Sequence, residues 1–144
     1  MRRLMTLILK MSEIRTRSRT ALLKESENQR RIDARITAAL QKFIEDKGYR
    51  DELEVSEVAA GLGVSTQQLG YYFKHVLGKS FTQWRKEMRV EDAKALLRDT
   101  EMSISEIAGL VGIPDKSNFR KRFTDVAGCT PKEWRRMQLN GKEA

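Results

Sequence analysis

A single cysteine, Cys129, leaves the chain unable to build an internal disulfide. That suits a reducing cytoplasm, and in the loop before the last helix Cys129 reads as a small structural residue rather than a reactive thiol. Histidine is as scarce: His75 stands alone, so no Cys/His/carboxylate cluster reaches metal-ligand spacing. The glycines fall at turns and caps rather than in a phosphate-cradling loop after a strand. The sequence therefore reads as non-enzymatic, with no metal and no cofactor expected. Long apolar runs are lacking too. The hexad Leu4 to Leu9 is too short for a signal-peptide core and far below the ~20 residues that span a bilayer. It remains open as an amphipathic terminus, an oligomer contact or the stump of a longer hydrophobic segment.

Positive charge is present in excess. A net charge of +8 and a pI near 9.8 over 144 residues favour a polyanionic partner, nucleic acid first and an anionic membrane surface second. Part of that charge, Arg15, Arg17, Arg19 and Lys24, lies in a basic segment, residues 1–25, with few apolar partners, which reads as a solvated face or a mobile arm. Next, Ser26-Glu-Asn-Gln29 has capping-box form, and Ile32, Ile36, Leu40 and Phe43 make one apolar stripe of a helix running to Gly48.

The most informative feature is a repeat. Residues 55–85, VSEVAAGLGVSTQQLGYYFKHVLGKSFTQWR, match residues 104–135, ISEIAGLVGIPDKSNFRKRFTDVAGCTPKEWR, with one extra residue in the second copy. Val58, Ala59, Gly63 and Val64 pair with Ile107, Ala108, Gly112 and Ile113, and Leu69, Phe73, Gly78 and Trp84 pair with Phe119, Phe123, Gly128 and Trp134. Each copy predicts a short helix, a glycine turn and a second helix. Ser56 and Ser105 are the expected caps of the first helices. Val58, Ala59 and Leu62, and Ile107, Ala108 and Val111, are their inner faces, with Gly63 and Gly112 supplying positive φ. Ser65 caps the first copy's second helix, whose inner face is Leu69, Phe73 and Val76. Its counterpart has Phe119, Phe123 and Val126 inside. Small residues at Ala59 and Ala108 allow the close crossing of a helix-turn-helix.

Each copy ends in the same tail. In Ser80-Phe-Thr-Gln83 and Thr130-Pro-Lys-Glu133 the hydroxyl accepts from the N3 amide while Gln83 or Glu133 reaches back, and Pro131 stands where no amide is needed. The first tail launches a helix over about 81–98, roughly 25 Å long at 1.5 Å per residue. Val90, Ala93 and Leu97 form its packing face, with Arg89 bracing it electrostatically.

From roughly Arg31 to Arg136 these residues resemble the DNA-binding domain of AraC/XylS-type bacterial transcription regulators. The resemblance rests on Ala59 to Gly63, on Leu69 to Lys74 with Gly78, and on Arg89, Val90, Ala93, Leu96 and Leu97. Ser105 to Gly112, Phe119, Phe123 and Gly128-Cys-Thr-Pro131 to Trp134-Arg135 complete it. It implies an all-α domain over residues 26–138, with two helix-turn-helix subdomains (about 55–79 and 104–129) on one long linker helix and a tail at 139–144. It also implies sequence-specific binding to double-stranded DNA by a monomer, control of transcription, and RNA polymerase as a further partner. The family's base-reading positions fall on Gln67, Gly70 and Tyr71, with Thr66 and Gln68 beside them and Lys74 as the first cation. In the second copy they fall on Lys116, Ser117, Arg120 and Lys121. Gly70 departs from the pattern, since a side chain commonly serves there. The sugar-binding barrel that many members carry does not fit in the first fifty residues, so no small-molecule effector domain is expected in this chain. The competing reading is a protein-interaction or membrane-proximal module on the same helical frame. A reader helix exposing aromatics and methionine rather than Lys116, Arg120 and Lys121 would favour it.

Overall fold

The computed structural model describes the backbone of residues 2–143 and the side chains of residues 19–141. Among the described residues it holds seven α-helices and no strand. By packing, the chain divides into two units, 1–38 and 39–144.

The first helix, α1 (Arg2–Glu45), passes straight through Ser26, so the expected helix start there is not used. Gln29 donates instead to Asp33 one turn on, at 2.9 Å. Side chains from Arg19 to Asn28 are exposed, whereas Ile36 and Leu40 are buried and Ile32 and Phe43 half-buried. The helix also stops short of Gly48. Lys47, at φ 56°, takes the left-handed residue that ends it, and Gly48 is needed because a Cβ there would run into the Phe43 ring. Removing residues 1–24 is expected to leave the melting temperature of the rest unchanged within a few degrees. Cutting through Phe43 should unfold it, since each stripe side chain contributes ~1.5–3 kcal/mol. Calorimetry on the two truncations decides this. A collapse of the shorter deletion would place the hexad Leu4 to Leu9, which lies outside the described side chains, in the core.

The second unit contains both repeats. After a short 3₁₀ turn (Gly48–Arg50) come α2 (Val55–Gly61) and α3 (Thr66–Tyr72), with Gly63 at φ 75° in the turn between them. The linker α4 (Phe81–Asp99) leads to α5 (Ile104–Leu110), α6 (Lys116–Ala127) and α7 (Pro131–Glu143), with Gly112 at φ 91° between α5 and α6. The caps of α2 and α5 correct the sequence reading. Glu54 precedes α2, its N–H donating to the Glu57 carboxylate at 2.8 Å, and Ser103 caps α5 in a full capping box with Glu106. Ser56 and Ser105 lie inside the first turns.

Two aromatic and aliphatic cores share α4. Its first half supplies Phe81 and Trp84, whose rings lie 5.4 and 5.3 Å from that of Phe73 in the first copy. Its second half supplies Val90, Ala93 and Leu97 to the second copy's core with Ile107, Ala108, Val111, Ile113, Phe119 and Phe123. The duplicated arginines hold equivalent places: Arg85 donates to the Leu53 carbonyl ahead of α2, and Arg135 to the Leu97 and Thr100 carbonyls ahead of α5. Each tail thus ties down the entry to its own copy.

Candidate nucleic-acid interface

The second helix of each copy is positioned by its cap. At α3 the Ser65 hydroxyl accepts the Gln68 N–H at 3.1 Å, and Gln68 Oε1 accepts the Ser65 N–H at 3.0 Å. Gln68 is thereby committed to the helix start. Thr66, Gln67, Gly70, Tyr71 and Lys74 are exposed. A Cβ at Gly70 would meet nothing within 4 Å, so glycine is not required there by any contact inside the fold.

The far end of α3 departs from regular winding. Residues Phe73–Leu77 form a π turn, in which the Gly78 N–H reaches back five residues to the Phe73 carbonyl. A turn with an extra residue shifts everything after it around the axis. Val76, expected inside, is 49% exposed, and Leu77 is half-buried in its stead. Val126, in the regularly wound second copy, does pack on the core. His75, four residues after Tyr71, lies against its ring, with centroids 4.0 Å apart and the planes tilted by 35°.

The second reader, α6, begins at Asp115, whose carboxylate accepts the Asn118 N–H at 2.7 Å and the Ser117 hydroxyl at 3.1 Å. Those bonds, the backbone one foremost, hold the Asp115 carboxyl below its ordinary range. Lys116, Ser117, Arg120 and Lys121 are exposed, and the three cations form no ion pair among the described residues. Arg122, one residue further along α6, is half-buried and donates to Asn118 at 3.1 Å.

Lys116 and Arg120 open onto a concavity of about 800 Å³ whose far wall is α7, with Lys132, Glu133, Arg135 and Arg136. Glu133 is taken up by its capping box with Thr130, in which both reciprocal bonds form. The first copy forms only half of that box, because Gln83 turns to Glu87. Lys132 and Arg136 thus join Lys116 and Arg120 as exposed cations around one hollow. Sequence reading missed these two; their i, i+4 spacing, begun inside the Thr130–Glu133 capping box, was the available signal.

What fixes one reader against the other is a seam around α4. Arg89, only 5% exposed, donates to the carbonyls of Tyr49 at 2.6 Å and Asp51 at 3.0 Å. Burial, with repulsion from Arg85 and Arg122, pushes its guanidinium down to about 10, which leaves it charged at neutral pH. The bracing expected of Arg89 is therefore a pair of hydrogen bonds to backbone. Beside it, Arg50 grips Asp92 with two bonds of 2.5 and 2.9 Å. Burial, then the Asp92 carboxylate, raises the Tyr49 hydroxyl above its ordinary range. Gly112 closes the seam: a Cβ there would overlap the Arg50 carbonyl oxygen and stand 3.1 Å from Arg89 Cζ.

Known proteins share this arrangement. A family model described as a helix-turn-helix domain matches residues 58–137. The arabinose operon regulatory protein of Salmonella typhimurium is 32% identical over 117 residues, 81% of this chain and 41% of that protein, so the chain spans about two fifths of that relative. Among solved structures, the C-terminal domain of AraT, a response regulator from Geobacillus stearothermophilus, superposes with a TM-score of 0.64 at 32% identity, covering 72% of this chain and 84% of that one. An AraC-type DNA-binding transcriptional regulator from Chromobacterium violaceum gives 0.66 at 27% identity, covering 73% and 92%.

Proposed function

Because the chain belongs to the AraC/XylS-type family of helix-turn-helix transcription regulators, we propose that it binds a non-palindromic duplex site as a monomer, with α3 and α6 in two major grooves. The observation that carries this reading is that two unlike readers, each with a capped start and an exposed polar face, are fixed to one shared helix by the buried Arg89 seam. A helix-turn-helix dimer matches a two-fold site with two copies of one reader, whereas this chain carries two different ones. Transcriptional control in the cytoplasm, with RNA polymerase as the second partner, follows from that reading. Selection of bound duplexes from a random pool tests it, and a perfectly symmetric site holding two chains would overturn it.

The two readers divide the work. In α6, Lys116, Arg120 and Lys121, helped by Lys132 and Arg136, supply most of the phosphate attraction, while Ser117 lies between the cap and the groove. In α3, Gln67 supplies base preference by pairing with an adenine edge, and Tyr71 meets a thymine methyl or a phosphate. Thr66 and Lys74 flank that surface, Gln68 serves it through the cap, and Gly70 leaves its subsite unread. Replacing Arg120 and Lys121 with alanine is expected to weaken binding to all sequences. It should also flatten the salt dependence by about one unit per lost phosphate contact. Replacing Gln67 with alanine should alter preference at one or two base pairs, at ~1–3 kcal/mol, with the salt slope nearly kept. Titrations at several salt concentrations separate the two. The opposite pattern would reverse the assignment, and an interaction flat in salt would favour a protein partner.

A further inference from the structure

The single histidine lies where the winding of the two copies differs. His75 corresponds to Asp125, and Asp125 is in a regular helix, paired with Lys86 at 3.5 Å. His75 is in the π turn, exposed, with its ring in tilted contact with that of Tyr71. Four residues of ordinary α-helix overshoot a full revolution, so a third side chain at i+8 drifts off the line begun at i. The extra residue in the 73–77 turn cancels part of that drift. Gln67, Tyr71 and His75 therefore run in file along one exposed edge of the reader. Eight residues at 1.5 Å make that file about 12 Å long, close to the ~12 Å width of a major groove.

We infer that His75 is a DNA-contacting residue, donating an imidazole N–H to a backbone phosphate at the edge of the groove entered by α3. The inference rests on the two-reader reading above. A recognition helix meets base edges with its N-terminal residues, so a side chain two turns further on lies at the groove wall rather than over the bases. Imidazole offers an N–H in either protonation state, and a phosphate oxygen accepts it. The Tyr71 ring fixes the imidazole's orientation before DNA arrives, which lowers the entropy lost on contact. The π turn thus gives the nearly uncharged first reader a phosphate anchor at the end away from its base-reading residues. At the same place the second reader has a carboxylate and needs none.

The test uses the intact chain and a duplex recovered by selection, in versions carrying a neutral methylphosphonate at single backbone positions. Wild-type protein should lose roughly tenfold in affinity when the one phosphate facing His75 is neutralised. His75→Ala should bind the unmodified duplex about as weakly and lose nothing further at that position, while His75→Lys restores both affinity and sensitivity. Circular dichroism on each variant reports that the reader still folds. If a folded His75→Ala binds like wild type, or keeps wild-type sensitivity at every phosphate, the contact does not exist. If His75→Ala is weakened and His75→Lys fails to rescue it, the imidazole serves the helix and not the DNA. Failure to recover any duplex would overturn the two-reader reading itself. A duplex that responds to Gln67 and Arg120/Lys121 but not to His75 overturns this inference alone.

Discussion

Gly112→Ala should melt far below wild type, by roughly 20 °C, while Gly128→Ala should fall about half as far, by roughly 10 °C. Both glycines have positive φ, 91° and 79°, and a left-handed backbone costs an L-residue ~1–2 kcal/mol at either position. Their surroundings differ. A Cβ at Gly128 points into open space, but one at Gly112 overlaps the Arg50 carbonyl oxygen and presses on the Arg89 guanidinium. Backbone oxygen cannot rotate away like a side chain, so the whole seam must open, adding ~1–3 kcal/mol of overpacking. For a unit of about one hundred residues each kcal/mol moves the midpoint ~4–8 °C. Thermal unfolding of the two variants side by side gives the answer, and equal shifts would mean that the seam is loose enough to absorb a methyl group.

Ala93→Pro is expected to abolish two-groove binding. Proline within a helix removes a hydrogen bond and clashes with the preceding turn, at ~3 kcal/mol or more. As its place on the linker's packing face implies, Ala93 is fully buried in the second copy's core, beside Val90, Leu97 and Phe123, so the substitution strikes the linker and that core together. Much of the helical circular dichroism should survive, because α1, α2 and α3 lie outside the damage. Titration against the selected duplex should show no specific complex. Retained affinity would show that the copies do not act as a rigid pair.

The repeat made most of the frame legible. Gly63 and Gly112 in the turns, Ser65, Ser80 and Thr130 as caps, and the Phe73 and Phe123 cores all stand as their spacing implied. What escaped has physical reasons. Two serines two residues apart competed for one cap, although the Glu three places after Ser103 favoured it over Ser105. Glu54 lacks the short side chain usually sought ahead of a helix. Nothing in Phe-Lys-His-Val-Leu announces a π turn, so the outward swing of Val76 could not be foreseen. The Arg50–Asp92 pair joins residues forty-two apart, and Arg89, expected to brace its helix electrostatically, does so through carbonyls about forty residues away. Apolar spacing and turn glycines were readable; the choice of cap at α2 and α5, the winding at the end of α3 and the polar contacts that join elements were not.

The sharing of α4 between two cores bears on what the duplication means. Each repeat is about thirty residues, below the ~40 at which a chain without metal, disulfide or partner usually holds a core. The second copy does not enclose its own hydrophobic centre: the first copy's tail supplies Phe81 and Trp84 to one core, whereas Val90, Ala93 and Leu97 complete the other from outside its repeat, all on a single rod. The motif is thus a unit of sequence without being a unit of folding. Excising either half removes part of the rod on which the other is built, since both cores draw on the same nineteen residues. Selection can tune the outward faces of the two readers separately, but it inherits their interiors as one object.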